Sequence, residues 1–575
     1  MHRTFSGRRQ RGSAPAAAAR RSGVRHSHCM KRFLRLLVAL VILIALLFGV
    51  AWIPVRDARD AWLAGRNSVA IGIAEQWSKF HLWQRQYHQI FALAFLSMGN
   101  EAAARPHLAS IGAVWFPAVA KEDVARRLFA IGNDAAFLEY DAASRDRRES
   151  PSVALYRAAA QAEANHLDEA EKTLRSIDAS RVDSQKYAAL HTSIEQRKSG
   201  AVPFVFDRSD RPIAIYRQGT NEVAATDSDF DALIDRQAGE LTVGARLPQL
   251  GSNATIATTL DPAVQKAAIA ALNGYRGSLV AIDPRTNEIL AVASARGKGS
   301  LANLALEQQY EPGSVIKVLT GLNALSSGVD VNSMFPYICK GDLMIDGRRF
   351  GDWVPQGHGR LANMDEALAV SCNIFFADVG LRLQRDRLQR FMNAAGFDAQ
   401  ANLGLFQVPL GKTQAGVFNN FETASFAIGL QHETIDTIHL AMLASMVANR
   451  GVLTTPRLLR QRRSILGEVV AVGPAQGRTR VATAAAAERM IAAMQEVINS
   501  PRGTGRRATV EGLTIAMKTG TAGERSSGLE AIIMAFAPVE SPKIAFGLIA
   551  EDAGPAEFAG AKIARDFLEG ATIHK

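Results

Sequence analysis

The chain has 575 residues, 48% apolar and 21% charged, which excludes both a disordered polymer and a single small domain. Its formal net charge is +11, but seven arginines among residues 1–29, with no acid beside them, carry most of that excess. A basic nucleic-acid-binding face is therefore excluded as its cause.

Residues 1–35 form a basic cytoplasmic tail. Met30 directly precedes Lys31, so residues 1–29 are either an arm on anionic lipid or sequence upstream of the true start. From Leu36 to Ile53 the chain is apolar without interruption, and those 18 residues span about 27 Å as a helix. Lys31, Arg32 and Arg35 precede the run and Asp57 is the first acid. The expected arrangement is one inner-membrane helix at 36–53, with the N-terminus cytoplasmic and everything beyond it extracytoplasmic. A cleaved signal peptide ending near Gly49-Val50-Ala51 is the alternative; the length of the run and Trp52 favour the anchor.

Helices are predicted from 57 to 198. Tyr87, Phe91, Ala94, Phe95 and Met98 recur at helical spacing before a stop at Gly99-Asn100. Val153, Leu155, Tyr156 and Ala159 form one stripe, broken at Asn165-His166. Leu167, Ala170, Leu174 and Ile177 form the next. The pair resembles a tetratricopeptide-like repeat, with an irregular bundle as the alternative. Its role is either a spacer off the membrane or a docking surface for partner proteins. Residues 199–254 read as a linker or pedestal that begins with two short strands. From 255 to 575 the texture is mixed α/β. A helix follows Asp261-Pro262, a hairpin turns at Asp283 to Asn287, and a second hairpin joins Ala531–Ala537 to Ile544–Ala550 under a last helix.

Three short strings in this region carry chemistry. In Glu311-Pro312-Gly313-Ser314-Val315-Ile316-Lys317, Ser314 opens a helix, where free N–H groups favour a developing anion. Lys317 lies one turn along on the same face, and its amine, if desolvated, can take the serine proton. Ser371-Cys372-Asn373 sits between two helical stretches, so Ser371 can relay a proton and the Asn373 amide can grip a substrate backbone. Lys518-Thr519-Gly520-Thr521 ends an apolar run and reads as an edge strand. Lys518, Thr519 and Thr521 suit a carboxylate, and Gly520 permits close approach. The N–H groups of Ser314 and Thr521 suit an oxyanion hole. Gly411-Lys412-Thr413 lacks the upstream glycine of a phosphate loop, Phe406 standing there instead, so ATP binding is not supported. Cys29, Cys339 and Cys372 lack zinc-motif spacing, so no metal and no cofactor is expected. A Cys339–Cys372 bridge would need the fold to bring the two together.

The three strings, in this order, resemble the transpeptidase domain of the penicillin-binding proteins, over residues 255–575. Thr259-Leu260-Asp261 with Gln265, Gly357-His358-Gly359, Ala427-Ile428-Gly429 and Thr519-Gly520-Thr521-Ala522 add to the likeness. The resemblance implies the α/β (α+β) fold of the serine D,D-peptidases and β-lactamases, an antiparallel sheet flanked by helices. It implies that Ser314 is acylated, Lys317 is the base, Ser371 the relay, Asn373 a substrate ligand, and Lys518, Thr519 and Thr521 the carboxylate clamp. It further implies a monofunctional, class B-like enzyme acting on peptidoglycan stem peptides and acylated by β-lactams. The alternatives are a D,D-carboxypeptidase or β-lactamase, or a non-catalytic sensor. Gly429-Leu430-Gln431, Ile532 and Met517 depart from the family pattern and bear on substrate preference.

Overall fold

The computed structural model describes residues 22–571 apart from 113–116, 145–148, 218–221, 234–254, 296–302, 406, 415, 417–418, 474 and 525–527. The first part of the basic tail and the last part of the expected linker, from 234 to 254, therefore lie outside the described residues. The chain divides into two compact units, residues 1–128 with 135–153, and residues 129–134 with 154–575. The division falls inside the helical stretch rather than at its end.

In the first unit, helix α1 (Ser22–Leu63) contains the apolar run and is the one helix, among the described residues, long and apolar enough to cross a membrane. The expected membrane helix ends at Ile53, yet the observed helix continues through Pro54 to Leu63. Apolar side chains from Met30 to Val50 stand exposed, whereas Val55, Ala58, Ala61 and Trp62 are buried. Helices α2 (Asn67–Trp77) and α3 (Gln84–Ser97) supply that burial. Gln89 fixes the interior of this unit: it donates to Val119 O and to Tyr140 Oη and accepts from Ala118 N.

The second unit begins with the remainder of the helical stretch. The helix ending at Glu163 and the helix Leu167–Arg175 are joined through Asn165 in a left-handed conformation, and Thr173 Oγ1 donates to Gln161 Oε1 across the pair. Ala170 is fully buried, as the small-residue pattern required. Ile177 is also buried but lies beyond the helix end. Strands Ala201–Phe206, Pro212–Arg217 and Glu222–Ala225 join Thr255–Thr258, Leu459–Arg463 and Val469–Val472 in a six-stranded sheet. The expected pedestal is thus built partly from sequence two hundred residues downstream.

The centre of this unit is an antiparallel five-stranded sheet. Its strands are β1 (Arg276–Asp283), β2 (Glu288–Ala295), β3 (Ala516–Glu524), β4 (Gly528–Ala537) and β5 (Ile544–Glu551), in the order β3-β4-β5-β1-β2. Both faces are covered from Ala531 onward, so β4 is apolar from there to Ala537. Ile532, Met534 and Phe536 enter one core, while Ala531, Ile533, Ala535 and Ala537 enter the other. The helices Pro262–Ala271 and Ala559–Gly570 cover the second face. Asp261 caps the first of these by accepting from Ala263 N and Val264 N. Gln265, buried in that helix, both donates to and accepts from the backbone of Val292, fixing the helix to β2. The strand carrying Lys518 is left at one edge, next to the helical side of the unit.

Candidate active site

Three elements converge at that edge. Ser314 lies in a single 3₁₀ turn, Gly313–Val315, which runs directly into α4 (Ile316–Ser326). Lys317 is therefore in the first turn of α4, one turn past the serine, as its spacing required. Ser371 joins α5 (Met364–Ala369) to α6 (Asn373–Leu383) and adopts a left-handed backbone, with φ of 54°. Lys518, Thr519, Gly520 and Thr521 lie on β3, the edge strand. The serine turn abuts that strand closely. A Cβ on Gly313 would lie 2.8 Å from Thr521 O, and one on Gly520 would lie 3.0 Å from Pro312 O. Gly313 N donates to Gly429 O (2.9 Å), and Gly429, at φ +88°, has no room for a Cβ against Gly313 O. The Gly429-Leu430-Gln431 string braces the serine turn, and Gln431 N donates to Glu311 of the same turn.

Ser371 links the two lysines. Lys317 Nζ donates to Ser371 O (2.7 Å), Ser371 Oγ (3.2 Å) and Asn373 Oδ1 (2.5 Å). Lys518 Nζ donates to the same Ser371 Oγ (3.0 Å) and to Thr519 O (2.5 Å). Both lysines are wholly buried. Burial is the main force lowering the Lys317 pKa, to about 8, with the charge of Asp352 opposing it. Burial and the charge of Lys317 hold Lys518 well below its ordinary value. Two ammonium groups sharing one hydroxyl in a dry site do not both stay charged, so near neutral pH the pair holds fewer than two protons. Burial thus makes Lys518 a weaker base than an exposed lysine, which sequence alone does not reveal.

The threonine hydroxyls are also engaged. Thr519 Oγ1 shares a 2.6 Å hydrogen bond with Thr504, and Thr521 Oγ1 accepts from Ala556 N (3.1 Å). Thr504 was not singled out from the sequence; it precedes β3 in a glycine-rich turn and offers no motif of its own. Ser314, Lys317, Ser371, Asn373 and Lys518–Thr521 are thus brought to one groove between the edge strand and the helices.

Behind this groove lies a second constellation. Cys339, Asp352, His358 and Cys372 each offer one ligand atom, and the four atoms lie within 4.8 Å of one another. Asp352 Oδ2 is 3.6 Å from Cys339 Sγ, 3.4 Å from Cys372 Sγ and 3.6 Å from His358 Nδ1, and Cys339 Sγ is 3.7 Å from His358 Nδ1. In a regular tetrahedron the edge is about 1.6 times the centre-to-corner distance, so these four edges would correspond to bonds of about 2.1–2.3 Å, the range of zinc with nitrogen, oxygen and thiolate, while the remaining two pairs lie within 4.8 Å. Two thiols, an imidazole and a carboxylate fit a four-coordinate divalent ion of that kind. Spacing along the chain does not reveal this set, because its members come from four separated positions that only the fold brings together. The two cysteines are free thiols and buried. Asp352 also accepts from Asn373 N (3.0 Å) and so holds the start of α6 in place.

A serine at a helix start, two buried lysines and a bridging hydroxyl define a serine acyl-transfer site on an α/β scaffold. Residues 277–569 match the penicillin-binding protein transpeptidase domain, and the chain belongs to that family. It is 29% identical over 374 residues to the peptidoglycan D,D-transpeptidase PbpA of Mycolicibacterium smegmatis, covering 58% of this chain and 74% of that protein. It is 29% identical over 357 residues to the peptidoglycan D,D-transpeptidase MrdA of Acinetobacter baumannii, covering 54% of this chain and 52% of that one. The chain therefore spans about half the length of MrdA. Among solved structures, penicillin-binding protein A from M. tuberculosis as its ceftriaxone acyl-enzyme matches with a TM-score of 0.57 at 19% identity, over 66% of this chain and 99% of that one. Pseudomonas aeruginosa PBP2 in complex with WCK 5153 gives 0.54 at 24% identity, over 64% and 95%. These two likenesses carry the fold.

Proposed function

We propose that the protein is a membrane-anchored peptidoglycan D,D-transpeptidase that crosslinks stem peptides through an acyl-enzyme on Ser314. The observation that carries this reading is the shared Ser371 hydroxyl, held between the buried amines of Lys317 and Lys518. A donor peptide ending in D-Ala-D-Ala brings a carboxylate to Lys518, Thr519 and Thr521. Lys518 holds it as a hydrogen-bond donor, and the reactive form of the site is the one in which Lys317 is neutral. Neutral Lys317 takes the Ser314 proton as Oγ attacks the penultimate D-Ala carbonyl. The oxyanion that forms is met by the backbone N–H groups of Ser314 and Thr521. Lys317 returns the proton through Ser371 to the departing nitrogen, and the terminal D-Ala leaves. An amine of a neighbouring stem peptide then attacks the ester, gives up its proton along the same route, and Ser314 is restored.

In this reading α1 crosses the inner membrane with its basic end in the cytoplasm, and the catalytic unit faces outward. β-Lactams acylate Ser314 in place of the donor peptide, and the helical stretch 57–198 offers a surface for other wall-synthesis proteins. The test is release of D-Ala from a stem pentapeptide with and without an acceptor amine. Amine-dependent crosslinked product, lost in Ser314→Ala, is expected. A product spectrum unchanged by amine would reduce the enzyme to a carboxypeptidase.

A further inference from the structure

The first unit carries a feature that acyl transfer does not use. Helix α2 packs on α1 and leads back toward the apolar run, a 3₁₀ turn at Ser78–Phe80 reverses the chain, and α3 leads away again. The two ends of α3 fix its direction. Trp83, just before it, stacks edge-on against Trp52 (4.9 Å between centroids) and Phe48 (5.9 Å) of α1. Ser97, at its far end, accepts from Trp62 Nε1. The tip formed by Trp77–Trp83 therefore lies beside the last part of the apolar run, reaching Phe48, about 7 Å inside its end at Ile53. At this tip Trp77, Phe80 and Leu82 are 38%, 65% and 39% exposed, and Lys79 is exposed with them. His81 and Trp83 both hold left-handed backbones, at φ of 56° and 58°, a costly conformation for bulky side chains.

Exposed tryptophan, phenylalanine and leucine with one lysine, at the level where a membrane helix leaves hydrocarbon, is the composition of a bilayer interface. We propose that Trp77–Trp83 is an interfacial foot seated in the outer leaflet of the membrane that α1 crosses. The occupant of this apolar surface is lipid. The surface is continuous through Trp83 with the exposed face of α1, and the lysine stem can extend its charge to the headgroups. The foot gives the first unit a second point of attachment beside α1 and so limits its rotation about the anchor. This inference rests on the membrane-anchored reading.

The test uses the full chain with Cys29→Ser, reconstituted in phosphatidylcholine–phosphatidylglycerol vesicles. An environment-sensitive NBD label is placed on Phe80→Cys, on Leu43→Cys within the apolar run, or on Met98→Cys just past the far end of α3; Cys339 and Cys372 are shielded by burial. Lipids spin-labelled near the headgroup are expected to quench the label at 80 at least threefold more than the label at 98. Lipids spin-labelled near the chain end should quench the label at 43 most strongly. Adding Trp77→Ser and Leu82→Ser should reduce quenching at 80 and leave position 43 unchanged. Quenching at 43 with none at 80 above the level at 98 overturns the foot while the anchor stands. No quenching at 43 overturns both.

Discussion

Lys317 gives acylation a defined pH dependence. Its amine is buried, makes three hydrogen bonds to the Ser371–Asn373 turn, and burial pushes its pKa down to about 8. The groups facing it are Asp352, Cys372 and Cys339, which raise its pKa, and Lys518, with which it shares Ser371 Oγ. If the neutral amine is the base, about one site in ten is competent at pH 7 and about nine in ten at pH 9, so acylation should rise roughly tenfold between them. The assay is the second-order rate constant for labelling by a fluorescent penicillin from pH 6 to 10, corrected for hydrolysis of the reagent. Lys317→Arg, which stays charged throughout, should remove the rising limb and lower the rate at pH 8.5 by at least a hundredfold. A flat wild-type profile, or one that rises only near 10.5, would refute a desolvated Lys317 as base.

The same burial affects stability. The folded-state pKa of Lys317 lies below the unfolded 10.5, so between about 8 and 10.5 the unfolded chain binds the extra proton and stability rises with pH. Urea melts of wild type against Lys317→Met should therefore move in favour of wild type by about 3 kcal/mol across that window and show no trend between pH 6 and 7.5. Gly429→Ala places a methyl against Gly313 O at a positive φ and should cost at least about 2 kcal/mol while slowing acylation of the displaced serine turn. Unchanged thermal stability and labelling would show that the brace is dispensable. Protein prepared with zinc and then dialysed should hold about one ion per chain by elemental analysis, with the ion lost in Cys339→Ala and the melting temperature lowered by chelation. Metal at background levels in wild type would reject that use of the quartet.

The placement of the three motifs was legible because each sits at an element boundary that sequence marks well. Pro312-Gly313 announces the turn before Ser314, Asp261-Pro262 announces a helix, and the apolar run before Lys518 announces a strand. Features that need distant residues to meet were not legible. The Cys339–Asp352–His358–Cys372 cluster draws on positions spread over 33 residues and has no local signature, although Gly357-His358-Gly359 stood out as part of the family likeness. The Thr504–Thr519 bond and the six-stranded sheet, which pairs Thr255–Thr258 with Leu459–Arg463, are likewise products of tertiary packing. In the same way, only the fold shows that the amine of Lys518 is dry and shares a hydroxyl with a second lysine.

Peptide mapping by mass spectrometry after brief exposure to benzylpenicillin tests the proposed nucleophile most directly. One penicilloyl adduct is expected, on the peptide containing Ser314, in wild type and none in Ser314→Ala. An adduct on another residue, or one that persists when the Ser314 hydroxyl is gone, would contradict the acyl-enzyme on which the whole mechanism depends.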